Sequence, residues 1–174
     1  MKSLSKQLIT LAIMSSSSFI AHAADTTINL TGKVIAGACT ISNSGSYNIT
    51  LVDVNAATLN PANSYGAWKT IDVTLTNCPA GTTSVTATFG GTADTADGTK
   101  YANLLGLGFA SNVSVQLQNR SGTVADRGVG STMTAYVDGS HNALFDLQAR
   151  PYSKNGNATA GSINSVVLMN FTYN

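Results

Sequence analysis

Apolar and polar residues alternate through the last fourteen residues of the chain, which run from Gly161 to Asn174. The residues of one parity are apolar, with Ser165 as the only polar interruption: Ile163, Val167, Met169, Phe171 and Tyr173. A period of two is typical of a β-strand with one buried face. No residue follows this strand to pair with its outer edge, and an apolar edge strand readily pairs with another chain. The segment therefore predicts an assembly site that receives a strand from another molecule.

Shorter runs with the same period recur through the rest of the chain. Their apolar positions fall within 47–51, 71–75, 85–89, 113–117, 133–137 and 143–149. Turn signals separate them: Pro79 ends one run, Gly90–Gly91 breaks another, and Asp138–Gly139 predicts a β-hairpin between the last two. The segment 90–108 is predicted as a loop with a short edge strand. About seven short strands joined by turns predict an all-β fold, an immunoglobulin-like sandwich.

A further alternating run lies near the N-terminus, between Asp25 and Val34. One face of this run carries Thr26, Ile28, Leu30, Gly32 and Val34. The run is interpreted either as the first strand of the domain's own sheet or as a strand offered to another molecule. Gly32 weakens a strand within its own fold, because it leaves a gap where a side chain would pack. A glycine there also lets another backbone come close, and the run alone leaves both interpretations open.

The first 23 residues have the organisation of a secretory signal peptide. Lys2 and Lys6 make a positive start, Leu8–Ile20 is a short apolar run, and Ala21–Ala23 fits a small-residue cleavage site. The apolar run is too short to span a bilayer comfortably. An N-terminal anchor that is not cleaved is the alternative interpretation.

The composition agrees with strands and excludes a nucleic-acid partner. The chain contains no Glu and is rich in Thr, Val, Asn and Gly, which disfavour helices. Without Lys2 and Lys6, seven basic residues remain against eight Asp, a formal charge of −1. A nearly neutral chain lacks the basic surface that phosphate backbones require. Its length has room for one domain, and no second domain or internal repeat is predicted.

Cys39 and Cys78 are the only cysteines. In an exported protein, two cysteines most simply form a disulfide. A reactive thiol or a metal pair is the alternative, but no His or further Cys lies near either residue in the sequence. Beyond the signal segment His141 is the only histidine, and it follows a turn sequence. One histidine supplies neither two metal ligands nor a catalytic base with its orienting partner, so no metal site, catalytic residue or cofactor is predicted.

Trp68 and Tyr65 are the one aromatic pair with a possible binding role. They are interpreted either as an aromatic platform for a sugar or, in the case of Trp68, as a cover over one end of the core beside Ile71. The second interpretation is favoured, because core aromatic residues are common in sandwiches of this type.

Together, these segments resemble the pilin subunits of chaperone–usher fimbriae, in particular the type 1 fimbrial family. The resemblance covers 24–174. Gly161, fourteenth from the end, and the penultimate Tyr173 bracket alternating apolar residues, as in the family's terminal assembly motif. The N-terminal run resembles the family's donor extension, including its glycine. Gly37–Cys39 and Leu75–Pro79 resemble the two halves around the family's disulfide.

The resemblance implies an incomplete immunoglobulin-like sandwich that lacks its last strand, together with an N-terminal donor strand. It divides the chain into a signal peptide, 1–23, a donor extension, 24–35, and a pilin domain, 36–174. A periplasmic chaperone is expected to lend a strand beside Gly161–Tyr173, with basic residues on the terminal carboxylate of Asn174. At the outer-membrane usher, the extension of a neighbouring pilin subunit would replace that strand. The chain would thus be a structural subunit exported through the periplasm to a cell-surface fimbrium.

Position within the fibre follows from the same resemblance. The chain has no room for an extra lectin domain and carries a donor extension, which implies an internal subunit. Its opening Ala24–Ile28 and the stretch Ala67–Pro79 are most similar to a minor, adaptor-type subunit, with a major shaft pilin as the alternative. A self-contained secreted sugar-binding sandwich is the remaining binding alternative. An enzyme with a small-molecule substrate is not expected.

Overall fold

The computed structural model describes residues 29–174, so the predicted signal peptide, Thr26 and Ile28 lie outside the described residues. The chain divides into two units, Met1–Lys33 and Val34–Asn174. In the first unit, the described residues 29–33 belong to no strand. Within the described range, no helix is long and apolar enough to cross a membrane.

The second unit is built from nine strands and two short 3-10 helices. In chain order the strands are β1 Thr40–Ile41, β2 Ser64–Tyr65, β3 Lys69–Thr76, β4 Ser84–Gly91, β5 Tyr101–Ala102, β6 Ser114–Asn119, β7 Thr132–Tyr136, β8 Ala143–Ser153 and β9 Val167–Tyr173. The 3-10 helices span Ser42–Gly45 and Ala56–Leu59. The prediction of an all-β fold is confirmed.

The strands form two sheets that pack as a sandwich. The larger sheet has the order β1-β3-β8-β6-β5, with β2 paired to β8, and the smaller has the order β7-β4-β9. Every pair of neighbouring strands is antiparallel. Both sheets contribute to one core, in which Val73, Leu117 and Phe145 of the larger sheet pack with Val85 and Phe89 of the smaller. Residues that point into this core therefore alternate along the strands with residues that point away from it, as the sequence pattern predicted.

Most of the predicted strands are present, and the short strand predicted within 90–108 is β5 at the edge of the larger sheet. Three local predictions are wrong. The run 47–51 belongs to no strand. β4 continues through the predicted break at Gly90–Gly91, where a Cβ on Gly91 would come within 2.6 Å of the Val166 carbonyl oxygen. That close approach, rather than a turn, explains the glycine.

The hairpin predicted at Asp138–Gly139 is also not formed, because β7 and β8 belong to different sheets. The turn instead carries the chain across the sandwich. The Asp138 carboxylate accepts hydrogen bonds from the backbone N–H groups of Ser140 and Asn142, both at 2.9 Å. His141, in the left-handed region with φ 62°, places its Nδ1 3.0 Å from the carbonyl oxygen of Cys78. The histidine thus fixes a corner of the fold.

An ion pair between the buried Lys100 and the partly exposed Asp126 holds two long loops to the larger sheet. Lys100 is 5% exposed, and its ammonium donates to Asp126 Oδ2 at 2.7 Å. Asp126 also accepts from Gln116 of β6 at 2.7 Å. Burial alone would raise the pKa of Asp126, but the hydrogen bonds from Lys100 and Gln116 hold that pKa below its ordinary value. Burial raises the pKa of the neighbouring Tyr101 to about 12 while its hydroxyl donates to the Arg127 carbonyl.

A disulfide joins Cys39 and Cys78, whose Cα atoms lie 4.2 Å apart. It lies beside the pairing of β1 with β3, where Thr40 is opposite Thr76. Gly37 is required nearby, since a Cβ there would come within 2.8 Å of the Pro79 ring. The predicted disulfide is confirmed, and it closes a loop that includes residues 46–55.

Replacing both cysteines, Cys39→Ser with Cys78→Ser, is expected to lower the free energy of unfolding by about 2–4 kcal/mol, because the unfolded chain regains the entropy of the open loop. Urea unfolding of residues 24–174 under oxidising conditions measures the change. The unmodified chain in dithiothreitol should show the same loss, whereas equal midpoints in all three samples would contradict a stabilising role.

Asp126→Asn is expected to cost roughly 1–3 kcal/mol at neutral pH, because it removes the nearer of the two carboxylates that pair with the buried ammonium of Lys100 and leaves only Asp97, at 3.7 Å. In the unmodified chain, the pKa of Asp126 in the folded state lies below its value in the unfolded state. The contribution of Asp126 to the free energy of unfolding is therefore fully present above the unfolded pKa. It is lost as the pH falls below 3.8 and through the folded pKa. Urea midpoints measured from pH 7 downward should therefore decline more steeply for the unmodified chain than for the variant.

Asp72→Asn is the matched control for this measurement, because Asp72 pairs with Arg120 at an exposed position. Exposed ion pairs contribute little, so the control should follow the unmodified chain at every pH. Parallel pH profiles for Asp126→Asn and the unmodified chain would show that the Lys100 pair has no such role.

Candidate functional site

A groove of about 890 Å³ opens beside β9. Its floor is the inner face of the larger sheet, formed by β3, β6 and β8: Ile71, Val73, Val115, Leu117, Leu147 and Ala149. One wall is residues 161–171 and the other is residues 47–54. A groove lined by core side chains therefore lies open between the two walls, and the floor residues other than Ile71 are each no more than 6% exposed.

β9 forms the first wall and has a free edge. It pairs with β4 alone, in a register that places Phe171 opposite Ala87 and Val167 opposite Gly91. Val167, Met169 and Phe171 are partly buried against the core, and the Phe171 ring lies 5.4 Å from that of Phe145. Burial raises the pKa of Tyr173, the last inward residue of the strand. Within residues 29–174, no strand pairs with the outer edge of β9.

Residues 47–54 form the opposite wall. Their backbone N–H and C=O groups make no hydrogen bond to other backbone groups of the described range. Two hydroxyl groups from the two walls, Tyr47 Oη and Ser165 Oγ, are buried without a partner there. Two backbone segments with free donors and acceptors thus flank an apolar floor, and an added strand could pair with both.

The segment leading into β9 is fixed by a close backbone contact. A Cβ on Gly161 would come within 2.4 Å of the Ala110 amide nitrogen, so only glycine fits. Ala110 donates its N–H to the Ser162 carbonyl oxygen at 3.0 Å, and Ser162 donates to Gly108 at 2.7 Å. The glycine fourteenth from the end therefore lets the segment lie against the loop before β6.

The other end of β9 is fixed by β4. The main-chain oxygen of Asn174 accepts hydrogen bonds from the N–H groups of Thr83 at 2.7 Å and Ser84 at 3.2 Å. The Asn174 N–H donates to the Ser84 carbonyl at 2.9 Å. The ladder thus continues to the last residue, leaving the whole outer edge of β9 in place for a second partner.

Five of the seven residues predicted for the groove strand line one wall of the groove: Gly161, Ile163, Val167, Met169 and Phe171. Tyr173 and Asn174 lie beyond this lining, and the role of all seven in receiving a strand stays a prediction. Three predicted donor residues are also within the described range. Leu30 is 91% exposed, Val34 is 99% exposed, and no atom lies within 4 Å of a Cβ placed on Gly32. Their role as a donor strand stays a prediction.

Sequence reasoning missed the opposite wall. The alternation of Tyr47, Ile49 and Leu51 predicted a strand. It did not reveal that no strand of the described chain pairs with this segment. It also missed Asn103, a buried residue whose side chain donates to the Ala110 carbonyl at 2.8 Å and accepts from the Asn164 N–H at 2.7 Å. A lone Asn in a Gly-rich loop gives no periodic signal, so only the structure shows this role.

The aromatic pair proposed as a sugar platform is already occupied by a side chain. The Arg150 guanidinium lies 3.6 Å from the Tyr65 ring centroid and 4.0 Å from the Trp68 ring centroid. Arg150 also donates to Gln116 Oε1 at 2.7 Å. This cation–π stack ties β8 to the residues around β2. Among the described residues, no group of His, Cys, Asp or Glu is arranged to hold a metal ion.

Comparison with known proteins agrees with this geometry. The family model described as "Fimbrial protein" matches residues 28–174. The chain is 39% identical over 163 residues to Protein FimG of Escherichia coli, covering 93% of each chain. It is 37% identical over 155 residues to the S-fimbrial adhesin protein SfaS of Escherichia coli, covering 89% of each.

Solved structures share the fold. The P pilus rod subunit PapA aligns with a TM-score of 0.63 at 18% identity, over 78% of this chain and 99% of that one. A subunit from the structure of a chaperone–usher pilus aligns with a TM-score of 0.62 at 18% identity, over 91% and 100% of the two chains. The sandwich has an open groove, and the family match covers the whole described range. Both findings lead to the same conclusion. The chain belongs to the fimbrial protein family and is a structural subunit of a fimbria at the cell surface, not an enzyme.

Proposed function

We propose that this subunit is assembled by donor-strand exchange. The N-terminal strand of a neighbouring subunit fills the groove beside β9, and this chain's own extension, residues 24–35, fills the groove of the next subunit. The observation that carries the proposal is the open strip of core between β9 and residues 47–54. Main-chain hydrogen bonds to both walls would give affinity, and alternate side chains on the floor would give specificity.

The apolar floor supplies the energy for this exchange. Each donor side chain buried on it contributes roughly 1.5–3 kcal/mol, and a ladder of backbone hydrogen bonds adds to that. Three or four such side chains give on the order of 10 kcal/mol before the cost of ordering the strand. An interaction of this size dissociates slowly, as a fibre requires.

Before assembly the same groove needs a cover, because an exposed core strip invites aggregation. A periplasmic chaperone is proposed to lend a strand beside Gly161–Tyr173, and the outer-membrane usher to exchange it for a neighbouring subunit. Asn174 ends a ladder that Thr83 and Ser84 hold in place, which presents the end of β9 at a defined position. Basic residues of the chaperone would bind the terminal carboxylate of Asn174.

Within the fibre, a minor internal subunit of the adaptor type is proposed. The opening Ala24–Ile28 and the stretch Ala67–Pro79, which resemble those of an adaptor-type subunit, support this position over that of a major shaft pilin. The name of SfaS describes that relative as an adhesin. A receptor-binding role for this chain has less support, since Arg150 already stacks on the aromatic pair. The open groove likewise disfavours a self-contained secreted sandwich.

Donor-strand exchange predicts that residues 36–174 are stabilised by a strand fused after Asn174 through a flexible linker. The strand is taken from another subunit of the same fimbria. Burial of its side chains is expected to raise the urea midpoint by at least about 2 M, given the denaturant dependence of a domain of this size. Circular dichroism during urea unfolding measures the midpoint.

The control is the same fusion with the inward apolar residues of the added strand replaced by Ser. It should unfold near the midpoint of the domain without a strand. A stable monomer with the same midpoint in all three proteins would show that the fold is already complete, and would favour the secreted binding module.

The proposed position predicts the abundance of the chain in purified fibres. Quantitative mass spectrometry should find far fewer copies of it than of the most abundant subunit. Deleting residues 25–34 should leave a subunit that is recovered with its chaperone but is absent from fibres, because it has no strand to donate. An abundance equal to that of the main subunit would indicate a shaft pilin, and normal incorporation of the deletion variant would contradict the donor role.

A further inference from the structure

An exposed apolar loop, residues 104–108, precedes β6 and is here called the leucine loop. Leu105 is 85% exposed, Leu107 is 103% exposed, and Leu104 is half exposed. The loop has the sequence Leu-Leu-Gly-Leu-Gly and carries no charge. Single exposed leucines are ordinary, but three within four residues form a patch of the kind that other proteins cover.

The leucine loop is held firmly at its base. The Asn103 amide donates to the Ala110 carbonyl at 2.8 Å and to the Ser162 carbonyl at 3.2 Å. Leu104 donates its N–H to the Asn164 carbonyl at 3.0 Å. Because Asn103 is 6% exposed, these bonds are shielded from water. The side chains of Leu105 and Leu107 are therefore presented on a fixed base rather than on a loosely attached loop.

This base places the leucine loop at one end of the groove. Ser162 and Asn164, which bond the loop, also line the groove at the start of the β9 wall. The exposed patch and the proposed strand-binding groove are thus continuous with each other. A strand that lies antiparallel to β9 begins beside Asn174 and ends beside Gly161, so the domain that follows such a strand emerges next to the loop.

We propose that the leucine loop docks against the domain of the neighbouring subunit that donates its strand, at the junction where that strand enters its domain. This inference rests on the proposed donor-strand exchange. The strand is taken as antiparallel to β9, in agreement with every strand pair in this unit. Leu105 and Leu107 then become buried in the fibre and fix the angle between successive domains.

The surface of the neighbour that would contact the leucine loop is expected to be apolar. This chain carries an apolar residue at the corresponding place. Ile35 follows Val34, the last residue of the predicted donor face, and is an exposed apolar residue. A neighbour built in the same way presents an apolar side chain at the place where its strand leaves the groove. A lipid surface is a poorer partner, since the loop has no Lys or Arg to contact lipid headgroups.

Photo-crosslinking in assembled fibres tests this contact. The full chain is expressed in its own host with p-benzoylphenylalanine in place of Leu107, and fibres are irradiated after purification. We expect a crosslink to a fimbrial subunit, mapped by mass spectrometry to its strand–domain junction. Tyr136 is the matched control position: it is 80% exposed and lies opposite Ser84, near the Asn174 end of the groove. It should not crosslink to that junction.

A second measurement separates docking from strand uptake. Leu105→Ser with Leu107→Ser should raise the rate at which the chain leaves purified fibres in urea by about tenfold, since two buried anchors are lost. Binding of a synthetic peptide of the crosslinked neighbour's extension to the chaperone-free chain should remain within about twofold, because the groove is unchanged. Tyr136→Ser should alter neither value.

The outcomes distinguish the two proposals. Any one of three results would overturn the docking of the leucine loop. The first is a crosslink from position 136 to the junction, and the second is a crosslink from position 107 to lipid or to no subunit. The third is an equal dissociation rate for the variant and unmodified chains. Failure of the extension peptide to bind the unmodified chain would instead contradict donor-strand exchange itself.

Discussion

The unpaired outer edge of β9 is the constraint on which the rest of this subunit depends. β9 pairs only with β4, and its other side borders the groove. Backbone groups at such an edge demand partners, and the side chains behind them leave part of the core accessible. Under the proposed donor-strand exchange, a strand from another molecule would supply these contacts, so that assembly and completion of the fold would be one event.

Several local features preserve that edge. Gly161 permits the close backbone contact that directs the chain into β9, and the bonds from Thr83 and Ser84 to Asn174 hold its far end. The floor is fixed by the long pairings of β3 and β6 with β8. The floor and the β9 wall are therefore fixed within the subunit itself, which reduces the entropy that these parts would lose on binding.

Much of this arrangement could be predicted from the sequence, because inward faces of strands alternate with outward faces. β3, β4, β6 and β9 follow that rule directly. The alternation in 47–51 predicted a strand that is not formed, since its backbone lacks a partner in the described chain. Asp138–Gly139 was mistaken for a hairpin because turn chemistry does not reveal which sheet the next strand joins. Asn103 gave no signal at all, since its role depends on contacts distant in sequence.

The disulfide has a consequence for the timing of assembly. The ring closed by Cys39 and Cys78 contains the groove wall 47–54, which no strand pairing retains. Oxidation therefore reduces the space that this wall explores before a partner strand arrives. In a reduced chain, neither a disulfide nor a strand pairing would restrain this wall, so one side of the groove would be less well defined until the chain reached an oxidising compartment.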